Sequence, residues 1–365
     1  MSKKIIGSTP KADGFHMPAE FEPQDEVFMF FPERPDNWRK DAVPARAAYA
    51  EVAKAISEFT RVTVFVSAKH YSECTAILPD SIRVIEMTAD DAWIRDTGAT
   101  FLTNGRGGRR GVSWQFNAWG GHTDGLYEDW KCDDLVAEKL CRLLDIDFYR
   151  TDGFVLEGGS FHTDGEGTVL TTEMCLLSKG RNPHMTKGEI ENMLTEYLGA
   201  DKVLWLSDGI DPEETNGHID DVACFIRPGE VCCIYTDDPS HPFYEASQKA
   251  FAELSSMRDA KGRPLKVHRL CCTKAPVLMH GAETISAVHG TKPRRSGELC
   301  IASYANFLIT NGGVIVPQYD DENDSLALRQ LSTMFPDKKI VGVRTREIVF
   351  GGGNIHCITQ QLPSL

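Results

Sequence analysis

One order of elements recurs five times along the 365 residues: an amphipathic helix, a short apolar strand, then a turn bearing acids or glycines. Ala45, Tyr49, Val52, Ile56 and Phe59 share one helical face, a strand over 62–66 follows, and the unit arrives at a turn holding Asp90, Asp91, Trp93, Arg95 and Asp96. A second helix through Val136, Leu140 and Leu143 leads past Asp147-Phe148-Tyr149 to Glu157-Gly158-Gly159. The third carries Ile190, Met193, Leu194 and Tyr197, stops at Gly199, passes through an apolar strand over 203–206 and reaches Asn216-Gly217-His218-Ile219-Asp220. The fourth, through Ala250, Phe251 and Leu254, precedes a strand over 265–268 and a longer connection to 303–307, with no obvious acid or base. The fifth starts at the N-cap Asp324, buries Leu328, Leu331 and Phe335, and ends at Gly351-Gly352-Gly353 and Cys357. A further strand follows each of the first four turns, near 99–102, 167–172, 222–226 and 307–310. This alternation implies α/β units whose strand ends face one centre, and no linker-like stretch divides residues 1–365 into more than one domain.

Composition narrows the partners. Acidic residues outnumber basic ones 53 to 39, a net charge of −14, which argues against nucleic acid or an anionic membrane and favours a cationic ligand. Eleven cysteines, with no secretory apolar segment after Met1-Ser2-Lys3-Lys4, fit a reducing, cytoplasmic setting. No apolar run is long enough to span a bilayer. The adjacent pairs Cys232-Cys233 and Cys271-Cys272 lack the spacing of a zinc or redox motif and are read as core residues.

The turn residues carry the chemistry. Cys357 follows a glycine run, centred on Gly352, in an apolar, strand-like stretch, which suits a thiolate presented to a flat substrate that lies against the backbone. The alternative is a cysteine packed in the core at a strand end. On a strand, His218 and Asp220 would share a face and enter one pocket. Asp96 and Asp220 can grip a guanidinium, whose five donors form a fixed fork. Trp93 either covers a flat cationic group or packs in the core, and Glu157 can stand near both the cation and His218.

Several stretches together resemble the agmatine deiminases of the guanidine-modifying superfamily, which also holds arginine deiminases, peptidylarginine deiminases and amidinotransferases. They are Met17-Pro18-Ala19-Glu20-Phe21-Glu22-Pro23, Trp93 with Arg95-Asp96-Thr97-Gly98, Asn117-Ala118-Trp119-Gly120-Gly121, Glu157-Gly158-Gly159, Asn216 to Asp220, and Gly351 to Cys357. The likeness runs nearly end to end, with His122 standing where many relatives have lysine. It implies a five-module, pseudo-symmetric α/β propeller of pentein type and a homo-oligomer, dimer or tetramer. It implies Cys357 as nucleophile, His218 as general acid and base, Glu157 as its acidic partner, and Asp96 with Asp220 as the guanidinium clamp. The implied reaction converts agmatine to N-carbamoylputrescine and ammonia through an amidino-cysteine, with no metal or organic cofactor.

For the substrate amine, the acidic stretch 211–215 offers Glu214, while Arg95 beside Asp96 is read as ordering its loop. Three rivals compete. One is a deiminase for arginine or peptidylarginine, or an amidinotransferase of the same superfamily. Another is a metallohydrolase built on His122-Thr123-Asp124, His162-Thr163-Asp164 and His218-Ile219-Asp220, although two of these triplets sit in turn-like contexts. The third is a non-catalytic ring that binds a cation.

Overall fold

In the computed structural model, which describes residues 1–365, the strands gather into five separate sheets. Each sheet is built alike: an antiparallel pair, then a third strand parallel to the second. A parallel pair needs a crossover, and the predicted helices supply it. Three sheets have only these parts. Phe161–Thr163, Thr168–Thr172 and Lys202–Leu206 form one; Ala223–Arg227, Glu230–Tyr235 and Lys266–Cys271 the next; Leu308–Ile309, Gly313–Gln318 and Lys339–Arg344 the third. In a fourth, Thr100–Thr103, Arg109–Gln115 and Phe148–Val155 are joined at the edge by Lys4–Ile5. The fifth joins distant parts of the chain, because Gln360–Pro363 lies antiparallel to Gln24–Phe30, which continues in parallel to Arg61–Val66 and Arg83–Glu86. That pairing closes the ring, and the result is a five-module α/β propeller.

The crossover helices are Val43–Ser57, Val136–Leu143, Lys187–Leu198, Tyr244–Ser256 and Asp324–Met334. Lys187–Leu198 shows why its bounds fall where they do. Thr186 and Glu189 form a reciprocal capping box, and Gly199 takes the left-handed conformation (φ 65°) that stops the helix. Ala45, Tyr49, Val52, Ile56, Val136, Leu140 and Leu331 are buried as their periodicity predicts, each such large side chain contributing about 1.5–3 kcal/mol of transfer free energy. Leu143, at the last turn of its helix, is exposed instead. Cys232, Cys233 and Cys272 lie in the core and all eleven cysteines are free.

Three local expectations are corrected. Ile219–Asp221 is a 3-10 turn, so His218 and Asp220 do not share a strand face; the strand starts only at Ala223. Cys357 sits in a turn three residues before the start of the strand Gln360–Pro363, because Ile358 N–H bonds back to Asn354 O and Thr359 N–H to His356 O. The cap of the fifth helix is Asn323, and Asp324 is its first residue, accepting from the Tyr319 and Asp321 backbone N–H groups. No helix is long and apolar enough to cross a membrane.

Candidate active site

Asp96, Glu157, His218, Asn306 and Cys357 all lie in turns just before the first, antiparallel strand of a sheet, one in each of the five modules. These first strands neighbour one another across modules, Gln360–Pro363 beside Thr100–Thr103 and Phe161–Thr163 beside Ala223–Arg227, so the turns before them meet. Gly159 marks the meeting point. A Cβ on it would lie 2.6 Å from His218 Nδ1, 2.9 Å from Asp220 Oδ2 and 3.0 Å from Asp96 Oδ1, which only glycine permits.

Cys357 is 5 % exposed. Its Sγ stands 3.8 Å from Asp220 Oδ2 and 3.2 Å from Asn306 Nδ2. Burial, followed by the charges of Asp220, Asp221 and Asp96, pushes the thiol well above its ordinary range. A cation bound among these carboxylates would offset their charges and favour the thiolate. The three glycines serve differently from the expectation that they let substrate reach the backbone. A side chain at Gly351 would strike the Trp38 ring, and one at Gly353 would come within 2.6 Å of Trp93 and 3.0 Å of Cys357 Cβ. The flat groups admitted are thus two indoles, stacked on each other at 5.2 Å. Only Gly352 has a positive φ, 109°.

His218 is fully buried. Its Nδ1 lies 3.9 Å from both Asp96 Oδ1 and Asp220 Oδ1, and its Nε2 lies 3.6 Å from Glu157 Oε2. Burial alone would favour the neutral ring, but Asp96, Cys175 and Glu157 outweigh it and hold the imidazole well above its usual value, as the cation. Glu157 is itself fixed by Arg181 Nε at 2.8 Å; against the upward push of burial, Arg181 and His218 keep it below its ordinary value, ionised. Asp96 is shifted upward, chiefly by burial, although it accepts from Trp119 Nε1 and the Gly159 N–H at 2.8 Å each. Asp220 is pulled down in spite of burial by a 2.8 Å hydrogen bond from His356 Nδ1. His356 in turn bonds Glu20 through Nε2 at 2.8 Å, and Glu20 pairs with Arg95 at 3.5 Å. Arg95 also donates to Gln361 and the His356 carbonyl, contacts that tie its loop to the segment around Cys357.

The supporting residues Trp119, Arg181, His356 and Asn306 were not singled out by sequence. His356 and Trp119 sit inside two of the quoted motifs, so their proximity was legible and only their partners were not. Trp119 is delivered by a loop in which Ala118 and Trp119 both take left-handed φ, 55° and 62°, a conformation that costs roughly 1–2 kcal/mol per residue and persists only where packing imposes it.

Beside this centre opens a cavity of about 250 Å³ whose lining includes Trp93, Trp119, Asp91, Tyr127, Glu214 and Arg294. Trp93 and Trp119 belong to both, and Asp91 anchors the indole N–H groups of Trp38 and Trp93 at 3.1 Å each. Glu214 is at this cavity, but its carboxylate is held by Arg294 at 2.6 and 3.1 Å. Gly352 lies under that ion pair, where any side chain would collide with Glu214. The His-x-Asp triplets do not assemble. His122 and Asp124 are exposed, and Asp164 turns inward on its own hairpin tip, accepting from Glu166 and Thr168 N–H. The ligating atoms that do approach one another come from other sets, Glu20 with His162 and His356, and Glu157 with Cys175 and His218.

Comparison with known proteins agrees with this geometry. Residues 16–363 match the model of the Porphyromonas-type peptidyl-arginine deiminases. The agmatine deiminase of Ectopseudomonas mendocina is 51% identical over 364 residues, covering 98% of each chain. A solved structure described as the agmatine deiminase of Enterococcus faecalis catalysing its reaction superposes with a TM-score of 0.98 at 63% identity, covering 100% of both chains. DDAH from Pseudomonas aeruginosa, 10% identical with a TM-score of 0.50 over 93% of this chain and 100% of its own, shares the fold alone. With its five modules and its buried Cys–His–carboxylate centre, the chain belongs to the Porphyromonas-type peptidyl-arginine deiminase family, in its agmatine deiminase branch.

Proposed function

We propose that this chain hydrolyses agmatine to N-carbamoylputrescine and ammonia through an amidino-cysteine at Cys357. The observation that carries the reading is the convergence of Cys357, His218, Glu157, Asp96 and Asp220 from four modules around the space over Gly159. A planar guanidinium there meets Asp96 on one side and Asp220 on the other, and its charge offsets the carboxylates that otherwise keep Cys357 protonated. The thiol proton passes to solvent as the cation binds. The sulfur attacks the guanidinium carbon, and imidazolium His218 gives its proton to the departing amine, which leaves as ammonia. Neutral His218 then takes a proton from the attacking water. The C–S bond breaks with its electron pair returning to sulfur, the proton left on the new hydroxyl passes to solvent, and the neutral ureide departs. Glu157 with Arg181 keeps His218 oriented and basic enough for both transfers. Trp93 walls the aliphatic part of the substrate, and Glu214 beside Gly352 receives the distal ammonium by exchanging it for Arg294.

Residues 1–365 act as one catalytic unit, since no module holds the reacting set alone. Eleven free cysteines support a reducing, cytoplasmic setting, and the likeness to the agmatine deiminases supports a homo-oligomer, dimer or tetramer, which light scattering on the eluted protein checks. Ammonia and ureide release from agmatine, arginine and a peptidylarginine at equal concentration tests the function. Strong preference for agmatine is expected. Preference for arginine would overturn the assignment of the distal site, and amidine transfer to an added amine without ureide would replace the hydrolase with a transferase.

A further inference from the structure

Two buried clusters of metal-ligating side chains lie near the centre, and they differ in how far their donor atoms are already used. In the first, Glu20 Oε2 is bonded by His356 Nε2 at 2.8 Å, His356 Nδ1 bonds Asp220 at 2.8 Å, and His162 Nδ1 accepts the Phe225 N–H at 3.3 Å. Arg95 adds a positive charge 3.5 Å from Glu20, so this set is closed by its own contacts. In the second, one donor atom each of Glu157, Cys175 and His218 lies within 4.8 Å of the other two, and Glu157 Oε2 stands 3.6 Å from His218 Nε2. All three residues are buried, His218 at 1 % exposure and the others at none. Yet Glu157 Oε2 and His218 Nε2 have no hydrogen-bond partner, and Cys175 takes no part in the proposed reaction. Thr172 fixes both sides of this set: its hydroxyl accepts the Cys175 N–H at 3.1 Å and donates to the carbonyl of Gly217, next to His218, at 2.7 Å. Glu157 is held from behind, through Oε1, by Arg181 Nε at 2.8 Å, which leaves Oε2 free.

We propose that Glu157 Oε2, Cys175 Sγ and His218 Nε2 form a binding site for a thiophilic divalent cation such as Zn²⁺ or Cd²⁺, and that filling it switches the enzyme off. One thiolate, one imidazole and one carboxylate make a mixed set that suits zinc-like ions, with a water as fourth ligand, and disfavours Mg²⁺ and Ca²⁺, which take oxygen ligands. Bonds of about 2.0–2.3 Å in a tetrahedron put ligand atoms roughly 3.4–3.6 Å apart. Glu157 Oε2 and His218 Nε2 already have that spacing at 3.6 Å, and the sulfur needs to move by roughly 1.2 Å at most. Asp96 and Asp220, each 3.9 Å from the other ring nitrogen, make the surroundings anionic and so favour a divalent ion. On binding, the Cys175 thiol and His218 Nε2 each release one proton to solvent, and the ring keeps its remaining proton on Nδ1. Nδ1 is the nitrogen that faces the space over Gly159. A ring tied to metal at Nε2 can neither become imidazolium nor accept a proton from water at Nδ1, so both proton transfers stop. That consequence rests on the role of His218 proposed above, whereas the metal binding itself does not.

The test is a titration of Cd²⁺ into the enzyme, read by the ultraviolet thiolate-to-cadmium charge-transfer band, with Zn²⁺ inhibition of ammonia release from agmatine measured in parallel. The first equivalent per chain is expected to give the band in the wild type and in Cys357→Ala, and to give none in Cys175→Ser. A band that survives Cys175→Ser, or that disappears with Cys357→Ala, would place the metal on another thiol and overturn the proposal. Inhibition should follow the same pattern. The Zn²⁺ concentration for half-inhibition, taken against each protein's own metal-free rate, should rise at least about 100-fold in Cys175→Ser, and Mg²⁺ at the same concentration should inhibit neither protein. A half-inhibition point that stays in place, or equal inhibition by Mg²⁺, would sink the idea. Should Cys175→Ser fail to fold, zinc X-ray absorption on Cys357→Ala still decides. One sulfur at about 2.3 Å with nitrogen or oxygen at about 2.0–2.1 Å is expected, and a shell with no sulfur, or with more than one, would contradict the site. Because the band needs no turnover, silence on agmatine with the band intact would count against the proposed reaction and leave the metal site standing.

Discussion

The centre of the propeller and the rim of its cavity treat charge in opposite ways. At the centre, each charged group is buried and held by a partner that does not react: Glu157 by Arg181, Asp96 by Trp119, and Asp220 by His356 with Glu20 behind it. The reacting faces are left pointing at one another, and Glu157 Oε2, both His218 nitrogens and Asp220 Oδ1 have no hydrogen-bond partner. Unsatisfied buried polar groups are unfavourable, so such a cluster persists where a ligand completes it. At the rim, charges satisfy each other directly, Glu214 with Arg294 and Glu213 with Lys292. In the proposed reaction, chemistry would be preorganised at the centre, while substrate choice would rest on rim pairs that can exchange.

If that division is right, substitutions at the centre should strike kcat and those at the rim KM. Cys357→Ala has the largest expected effect: loss of turnover by at least about 10⁴-fold with agmatine still bound, measured by isothermal titration beside ammonia release. Glu157→Gln should lower kcat about 10²-fold and also move the pH profile. Glu157 helps hold His218 above its usual value, so without it the general acid loses its proton at lower pH and the alkaline limb of kcat shifts toward acid. An alkaline limb that stays in place would separate Glu157 from His218 and break the account of the centre.

Glu20 tests whether the outer partners act through stability. Burial would raise its pKa, but His356, Arg95 and His162 bring it from an ordinary 4.5 down to about 2. A depressed carboxyl stabilises the fold fully above its unfolded value and loses that contribution as pH falls through the folded one, here between about 4.5 and 2. Glu20→Gln should therefore reduce stability at neutral pH by on the order of 3 kcal/mol and flatten the acid side of the Tm profile. The smallest effect belongs to the rim: Glu214→Gln should raise KM for agmatine about 10-fold and leave kcat within about 2-fold. A fall in kcat with KM unchanged would erase the distinction between the two regions.

Much of this architecture was legible because it repeats. A five-fold order of helix, strand and turn needs no long-range information, and the structure places one turn residue from each unit at the centre. The failures were local. The chain around His218 and Asp220 was read as a strand from its alternating pattern, but Gly217 (φ 81°) and the bonds holding Thr215 to Asp211 force a tight turn that brings both side chains inward by a different route. The glycine run was read as room for substrate, whereas Trp38, more than three hundred residues earlier in the chain, fills the space at Gly351. Asn306 carried no signal at all, since an asparagine is visible as a donor only once its acceptor is known. Glu214 was found by its acidic neighbourhood, but its pairing with Arg294 depends on a segment that has no periodicity to reveal it.

The most direct test of the central claim is to mix enzyme with agmatine, quench in acid during steady state, and weigh the peptide that carries Cys357. The account predicts a fraction of that peptide heavier by agmatine less one ammonia, absent in Cys357→Ala. Turnover without any such adduct on Cys357, or with the mass on another residue, would contradict it.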